Sequence, residues 1–294
     1  MDLIARASMP VAFARADLVG RYGRRAMDRA LARGELVRVA RGYYAGPAHA
    51  DSMWTSASAL AQSVGPRALI SGRAGLFLHG AIMDPPPYVT VAAPAERHPR
   101  IAPPGVRLLR TELAVQGEFV RELPVASPAF SLFHAVREVP PERAFALALE
   151  ALATAVEPAD LSDILRTTRR APRRGVLRRA LAAFDDGVRS ILEYRALTDV
   201  LYGPEFAHLS RQRPVAVDGR VFVLDAFDAR ASVAFEFDGR RYHSGSRWES
   251  DRERDTLLAS VGILTVRFTF RDVTERPAWC RAMALRVLES RRAA

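Results

Sequence analysis

Residues 221–239, VFVLDAFDARASVAFEFDG, hold two short apolar runs separated by a DARA loop, each run interrupted by an acid. Such runs read as adjacent strands, and few other arrangements suit them. Side chains alternate along a strand, so Val223, Asp225 and Phe227 share one face, as do Ala234, Glu236 and Asp238. A loop over 228–231 pairs Asp225 with Ala234 and leaves Glu236 diagonal to Asp225, about 7–8 Å away at Cα. Any even loop length keeps the two acids on one face. Glu236 and Asp238, about 6.6 Å apart along one strand, can also converge on a common point. An acid between Leu224 and Ala226 is costly to bury without a partner. Three neighbouring acids raise one another's pKa unless a hard divalent cation or arginines neutralise them.

Around this pair, region 189–294 reads as helix, strand, strand, helix, strand, helix. The segments are SILEYRALTDVLYG, RVFVLDAFD, SVAFEFDG, WESDRERDTLLASVG, ILTVRFTF and PAWCRAMALRVLES. A βαβ order flanked by helices implies an α/β layer fold. Ser190 to Glu193 has the S-x-x-E spacing of a capping box, so Glu193 has a helix-capping role available beside any role at the acids. Asp238-Gly239 fits turn chemistry, and His243 beside Tyr242 fits a packed loop. Asp251 and Asp255 lie four apart on an arginine-rich helix, where surface ion pairing is the ordinary role.

The 43 basic side chains are all arginine, and the chain contains no lysine or asparagine. Against 33 acids this leaves a net charge of +10, which favours a polyanionic partner through counterion release. No apolar run approaches the roughly 18 residues of a membrane span, and the N-terminal stretch lacks a secretory core. The expectation is a cytoplasmic protein with no membrane partner. The single cysteine, Cys280, excludes an internal disulfide or a thiolate cluster.

Residues 1–50 carry a second pattern. RRAMDRALARGELVRVARGYYAG reads as a helix with Met27, Ala30 and Leu31 on one face, a stop at Gly34, and a two-stranded hairpin around Ala40–Gly42. With a helix before it, this is the order of a winged helix. Arg25, Arg29 and Arg33 recur every four residues opposite the apolar face, with Arg24 beside them. That face suits phosphates in a groove, with Arg38 and Arg41 on the wing reaching the flanking backbone. A solvated basic helix in a protein-contact module fits the same residues. Region 51–188 reads as a mixed α/β spacer: helices at 55–64 and 72–80, strands in YVTVAAP, GVRLLRTEL and EFVRELPVA, then helices after Ser127-Pro128 and in PERAFALALEALATAV. His79 and His98 are isolated and read as structural or surface residues. RTTRRAPRRGVLRRA is either a solvated helical linker or a second phosphate-contacting surface.

Asp225 followed by Glu236-Phe237-Asp238 resembles the metal-binding strand pair of the PD-(D/E)XK nuclease superfamily. SILE, RQRPV, VLDAF, FEFDGRRYH, DRERDTLLASVG and ILTVRFT together resemble the small Vsr-like endonuclease-fold domains. RALARGELVRVARGYYA is similar to the winged-helix domain of AbiEi-type antitoxins of type IV toxin–antitoxin systems. The resemblance implies an α/β protein, α+β over the whole chain: a DNA-binding winged helix over 1–50, the spacer over 51–188, and a three-layer restriction-endonuclease-like domain over 189–294. It further implies that Asp225 and Glu236 ligate Mg²⁺ with the Phe237 carbonyl, that Glu193 is a helix-borne acid of the site, and that His243 is a general base or phosphate contact. Asp251 and Arg254 match the acid and arginine of the following helix. Asp238 stands where the superfamily has lysine, so the cation must come from the metal, Arg240, Arg241, Arg254 or protonated His243. Two functions follow: Mg²⁺-dependent hydrolysis of DNA, or a non-catalytic antitoxin-like regulator that binds DNA and has a toxin protein as partner, using the nuclease-like fold as a binding module.

Overall fold

The computed structural model describes residues 9–97, 103–168, 171–238 and 245–293, with side chains from 252 onward in the last segment. The chain is mixed α/β and divides into two compact units, Met1–Arg178 and Arg179–Ala294. Each unit has its own sheets and core.

The first unit opens with β1 (Phe13–Ala14), α1 (Arg15–Tyr22), α2 (Arg24–Ala32), β2 (Val37–Ala40) and β3 (Tyr43–Ala45). Strand β3 pairs antiparallel with both β1 and β2. Helix α2 forms as its apolar spacing predicts, burying Met27 and Ala30. Gly34 follows it at φ 69°, a left-handed conformation that glycine adopts without steric cost. Met27, Leu18 and Leu36 share one core with Leu60, Ile70, Val91 and Val125. Gln62 Nε2 also donates to the Ala12 carbonyl at 2.6 Å. Residues 11–45 are therefore packed into the same body as the segment that follows.

That segment contains α3 (Met53–Val64), β4 (Leu69–Ser71), α4 (Gly72–Leu78), β5 (Val89–Pro94), β6 (Val106–Thr111), β7 (Gly117–Val120), β8 (Leu123–Ala126), α5 (Pro128–Ala135), α6 (Pro141–Thr154) and α7 (Pro158–Thr167). Its sheet runs β6-β5-β4-β8-β7 and is mixed. EFVRELPVA, expected as one strand, is instead the β7–β8 hairpin. Arg121 and Glu122 turn it at φ 51° and 65°. His79 bonds the Ala126 carbonyl at 2.8 Å, a structural role, whereas His98 lies outside the described residues. In the arginine-rich stretch, Arg173 donates to the carbonyls of Val136 and Val139, and Arg174 to that of Leu165. Those two guanidiniums fix helix-end carbonyls. Helix α8 (Arg174–Asp185) follows.

The second unit contains α9 (Ile191–Arg195), β9 (Ser210–Val217), β10 (Arg220–Asp228), β11 (Val233–Asp238), α10 (Gly245–Ser260), β12 (Leu264–Thr269), α11 (Phe270–Glu275) and α12 (Pro277–Ala293). Its sheet runs β12-β11-β10-β9, with β11 and β12 parallel across α10 as the βαβ reading expects. Strand β9 was not expected. It joins β10 through Asp218 and Gly219 at φ 48° and 76°, the two-residue turn with both φ positive that Asp-Gly favours. On β11, Phe235 and Phe237 enter an aromatic stack with Phe268, centroids 6.5 and 6.2 Å apart, and Trp279 meets Phe268 edge-on. Each such pair adds about 0.5–1.5 kcal/mol beyond area burial.

The β10–β11 register corrects one expectation. Ala234 pairs with Phe227, not Asp225, and Asp228 pairs with Val233. The strand runs to Asp228 because that carboxylate accepts the N–H groups of Arg230 and Ala231 at 2.8 and 3.0 Å, placing the turn later. Ser232 completes the turn at φ 52°. Continuing the register sets Asp225 directly opposite Glu236. The parity argument survives, and the acids stand closer than a diagonal would put them.

In the first unit, His134 is 2% exposed and its Nδ1 meets Ser71 Oγ at 2.8 Å. Burial first, and Arg137 second, hold its pKa down at about 4 against an ordinary 6.5. A lowered pKa means that the stability conferred by the neutral ring is complete above pH 6.5 and is lost as pH falls toward 4. Urea unfolding should therefore show a loss of up to about 3 kcal/mol across that window. His134→Asn, which keeps a polar atom for Ser71 but cannot take up the proton, should flatten the slope.

Candidate functional site

Glu236 is held between two core phenylalanines, so the pleat sends its side chain to the opposite face of β11. There it is 6% exposed. Arg254, from α10, donates from Nη2 to Glu236 Oε1 at 2.8 Å and to the Val223 carbonyl at 2.8 Å. The Phe237 N–H donates to Asp225 Oδ2 at 2.9 Å, tying the two strands together at the acids. The resemblance implies a metal role for the Phe237 carbonyl; its N–H is already engaged with Asp225.

Glu193 joins the pair from α9. Its Oε2 accepts from the Arg189 N–H at 2.8 Å and from Gln212 Nε2 at 3.1 Å, while Ser190 Oγ caps the helix at the Glu193 N–H. Both readings of Glu193 thus coexist: it serves the helix start and lies close enough to Asp225 for their charges to interact. Gln212 also stands close enough to Asp225 to favour its ionised form, so one amide faces the two acids.

Two guanidiniums stand against these carboxylates. Arg267 is the β12 partner of Glu236 in the parallel register. Its Nη2 donates to Asp255 Oδ1 at 2.8 Å, and its Nη1 lies 3.6 Å from Asp238 Oδ1. Asp255, expected as a surface ion-pairing residue, holds Arg267 beside the site. Asp238, at the lysine position of the resembled pattern, has a cation supplied from the neighbouring strand. The structure thus gathers Glu193, Asp225, Glu236, Asp238 and Arg254. His243, Arg240 and Arg241 lie outside the described residues, as does the Asp251 side chain. Gln212 and Arg267 carry roles that sequence reasoning missed. A charged residue inside the apolar strand ILTVRFTF was the available signal for Arg267. Gln212 could be found only once the Asp218-Gly219 hairpin placed it opposite Asp225.

Positive charge falls short of negative here. Burial, and then Asp225, push Glu236 up to about 8 from an ordinary 4.5, even though Arg254 and Arg267 pull it down. Burial is also the largest influence on Asp225, which is raised despite the bond from Phe237, the charge of Arg254 and the nearby Gln212. Glu193 is raised by burial and then by Asp225, against the Arg189 and Ser190 bonds. Among the described residues no three His, Cys, Asp or Glu side chains form a ready metal cage. The donor set nevertheless suits Mg²⁺, which is held through one or two carboxylates and keeps several waters. Asp225 and Glu236 are hard oxygen donors at adjacent strand positions, and no bond among the described residues uses Glu236 Oε2.

A second candidate surface lies in the first unit. Arg24, Arg25, Arg29, Arg33, Arg38 and Arg41 are all exposed. Arg24 and Arg33 have loose acidic neighbours, Asp28 at 3.9 Å and Glu35 at 3.8 Å. The helix and the β2–β3 hairpin therefore present arginines outward while Met27 and Ala30 face the core. No family model matches the chain, and no curated protein matches it either.

The charge shortfall has a measurable consequence. Because its pKa is raised in the fold, Glu236 favours folding below about pH 4.5, and that contribution is lost as pH rises through about 8. Arg254 also faces the charge of Asp225, but its pairing with Glu236 gains full strength only when Glu236 is ionised. Without added metal, Arg254→Ala should cost about 3 kcal/mol at pH 9 and about 1 kcal/mol at pH 6 in urea unfolding. Equal losses at both pH values would mean that Arg254 does not act through the charge of Glu236.

Proposed function

We propose that this protein is a cytoplasmic DNA-binding nuclease in which Asp225 and Glu236 hold Mg²⁺ for phosphodiester hydrolysis. The observation that carries the reading is the pair of opposed carboxylates, Glu236 buried and Asp225 half-buried, whose local arginines do not balance their charge. Glu193 adds a third acid within electrostatic reach. In this reading residues 189–294 are a Vsr-like endonuclease-fold domain and residues 1–50 a winged-helix domain.

The chemistry Mg²⁺ supplies when bound is Lewis-acid polarisation of a phosphoryl oxygen and activation of a water. The chain's own residues do the rest. Asp225 and Glu236 provide the anionic oxygens, and Glu193 adds to the negative potential that favours a cation. Arg254 and Arg267 supply positive charge beside the acids, where charge builds up on a phosphorane-like transition state. That answers the missing lysine, because a guanidinium keeps its charge at any working pH. Arginines 24, 25 and 29 on α2, 33 just past its end, and 38 and 41 on the hairpin contact DNA phosphates, which makes affinity salt-dependent.

Incubating the purified protein with supercoiled plasmid and Mg²⁺ or Mn²⁺ tests the reading. Cleavage should fall at least about 100-fold in Asp225→Ala and in Glu236→Ala, since losing even a hydrogen-bond partner of a metal ligand costs about 10–100-fold. Cleavage unchanged in both variants would overturn the site. Binding to DNA upstream of its own gene with no cleavage under any metal would favour the antitoxin-like regulator.

A further inference from the structure

Among the described residues that line the site, Gln212 alone is in a costly backbone conformation. It sits on β9 at φ 46°, in the left-handed region, where a side chain with a Cβ costs roughly 1 kcal/mol. The β9–β10 ladder pairs Arg213 with Leu224 and Arg211 with Ala226, and the intervening position, Gln212 opposite Asp225, is skipped. The register is the same on both sides, so the distortion is confined to this residue. Nothing in the turn chemistry demands it, because Asp218 and Gly219 already close the hairpin. What the conformation accomplishes is visible in the side chain. Its Nε2 donates to Glu193 Oε2 at 3.1 Å, and the same side chain stands close enough to Asp225 to favour its ionised form.

We propose that Gln212 is a positioning residue that holds Glu193 and Asp225 together for cation binding. The inference rests on the nuclease reading above and extends it to a residue that touches neither substrate nor metal. Two like-charged carboxylates repel, and a neutral amide that bonds one and stands against the other keeps them near each other without adding charge. The amide takes over work that Arg189 and Ser190 cannot do, since their bonds go to Glu193 alone. A local strain at a ligand clamp persists only because its surroundings over-determine it, here the ladder on either side.

The measurement is Mn²⁺ titration calorimetry on the full chain, paired with thermal unfolding of the metal-free protein. Gln212→Gly removes the amide and relieves the left-handed strain. The expected result is a loss of Mn²⁺ affinity of at least tenfold, with a metal-free Tm within a few degrees of wild type. Glu193→Gln should weaken binding as well, and the double variant should lose less than the two single losses combined, because both act on the same pair. Mn²⁺ affinity within twofold of wild type in Gln212→Gly would overturn the proposal. So would an affinity loss that comes only with a Tm drop of ten degrees or more, which marks a purely structural role. If wild-type protein binds no Mn²⁺, the nuclease reading fails, and this proposal fails with it. Wild-type binding retained by Gln212→Gly sinks this proposal alone.

Discussion

The pleat of β11 is the constraint on which the second unit depends. Phe235 and Phe237 must face the stack with Phe268 and Trp279, and strand geometry then leaves Glu236 no choice of side. A slip of one residue would put an acid into the aromatic core, at a cost of several kcal/mol. The register is therefore fixed by packing that has no chemical role. The acids inherit their position from it: Asp225 opposite, Arg267 alongside on β12, and Arg254 above on α10.

Such placement is unfavourable for the acids themselves, and their pKa values show it. Arg254 and Arg267 stand beside Asp225, Glu236, Asp238 and Asp255, two guanidiniums to four carboxylates, and the most buried of the four keeps its proton to about pH 8. A fold under pressure only for stability would favour replacing Glu236 with an apolar residue, since buried ion pairs rarely repay their desolvation. Elsewhere in the same unit a buried acid is fully satisfied. Asp228 accepts from His208, Arg292, Arg230 and Ala231. Burial alone would raise its pKa, but these bonds hold the carboxyl well below the usual carboxylate range. The contrast between Asp228, compensated, and Glu236, under-compensated, separates a structural acid from a candidate ligand.

Much of this was legible in the sequence wherever period and turn chemistry agreed. Helix α2, the β2–β3 hairpin, β10, β11, α10 and β12 all follow from apolar spacing and from glycine at the stops. What stayed hidden has physical causes. The β7–β8 hairpin turns on Arg121 and Glu122, which carry no turn signature, so two strands read as one. Strands β1 and β4 are too short to show a period. Strand β9 reads as SRQRPVAV, polar and exposed along most of its length, and its proline argues against a strand until the partner is known to lie on one side only. At the site, Asp225, Glu236, Glu193 and Arg254 were readable because each sits in a recognisable element. Gln212 and Arg267 depend on cross-strand neighbours, which a single strand's pattern does not contain. Asp238 changed meaning: an acid in place of lysine looked like a loss of charge, yet it sits 3.6 Å from a guanidinium on the next strand.

The most direct test of the central claim, that the opposed acids are a cation site, is a crystal of the full chain grown with Mn²⁺ and measured at the manganese absorption edge. The account predicts one anomalous peak at bonding distance from carboxylate oxygens of both Asp225 and Glu236, absent from crystals of Asp225→Ala. Crystals soaked at saturating Mn²⁺ with no peak there, and with Glu236 still paired only to Arg254, would contradict it.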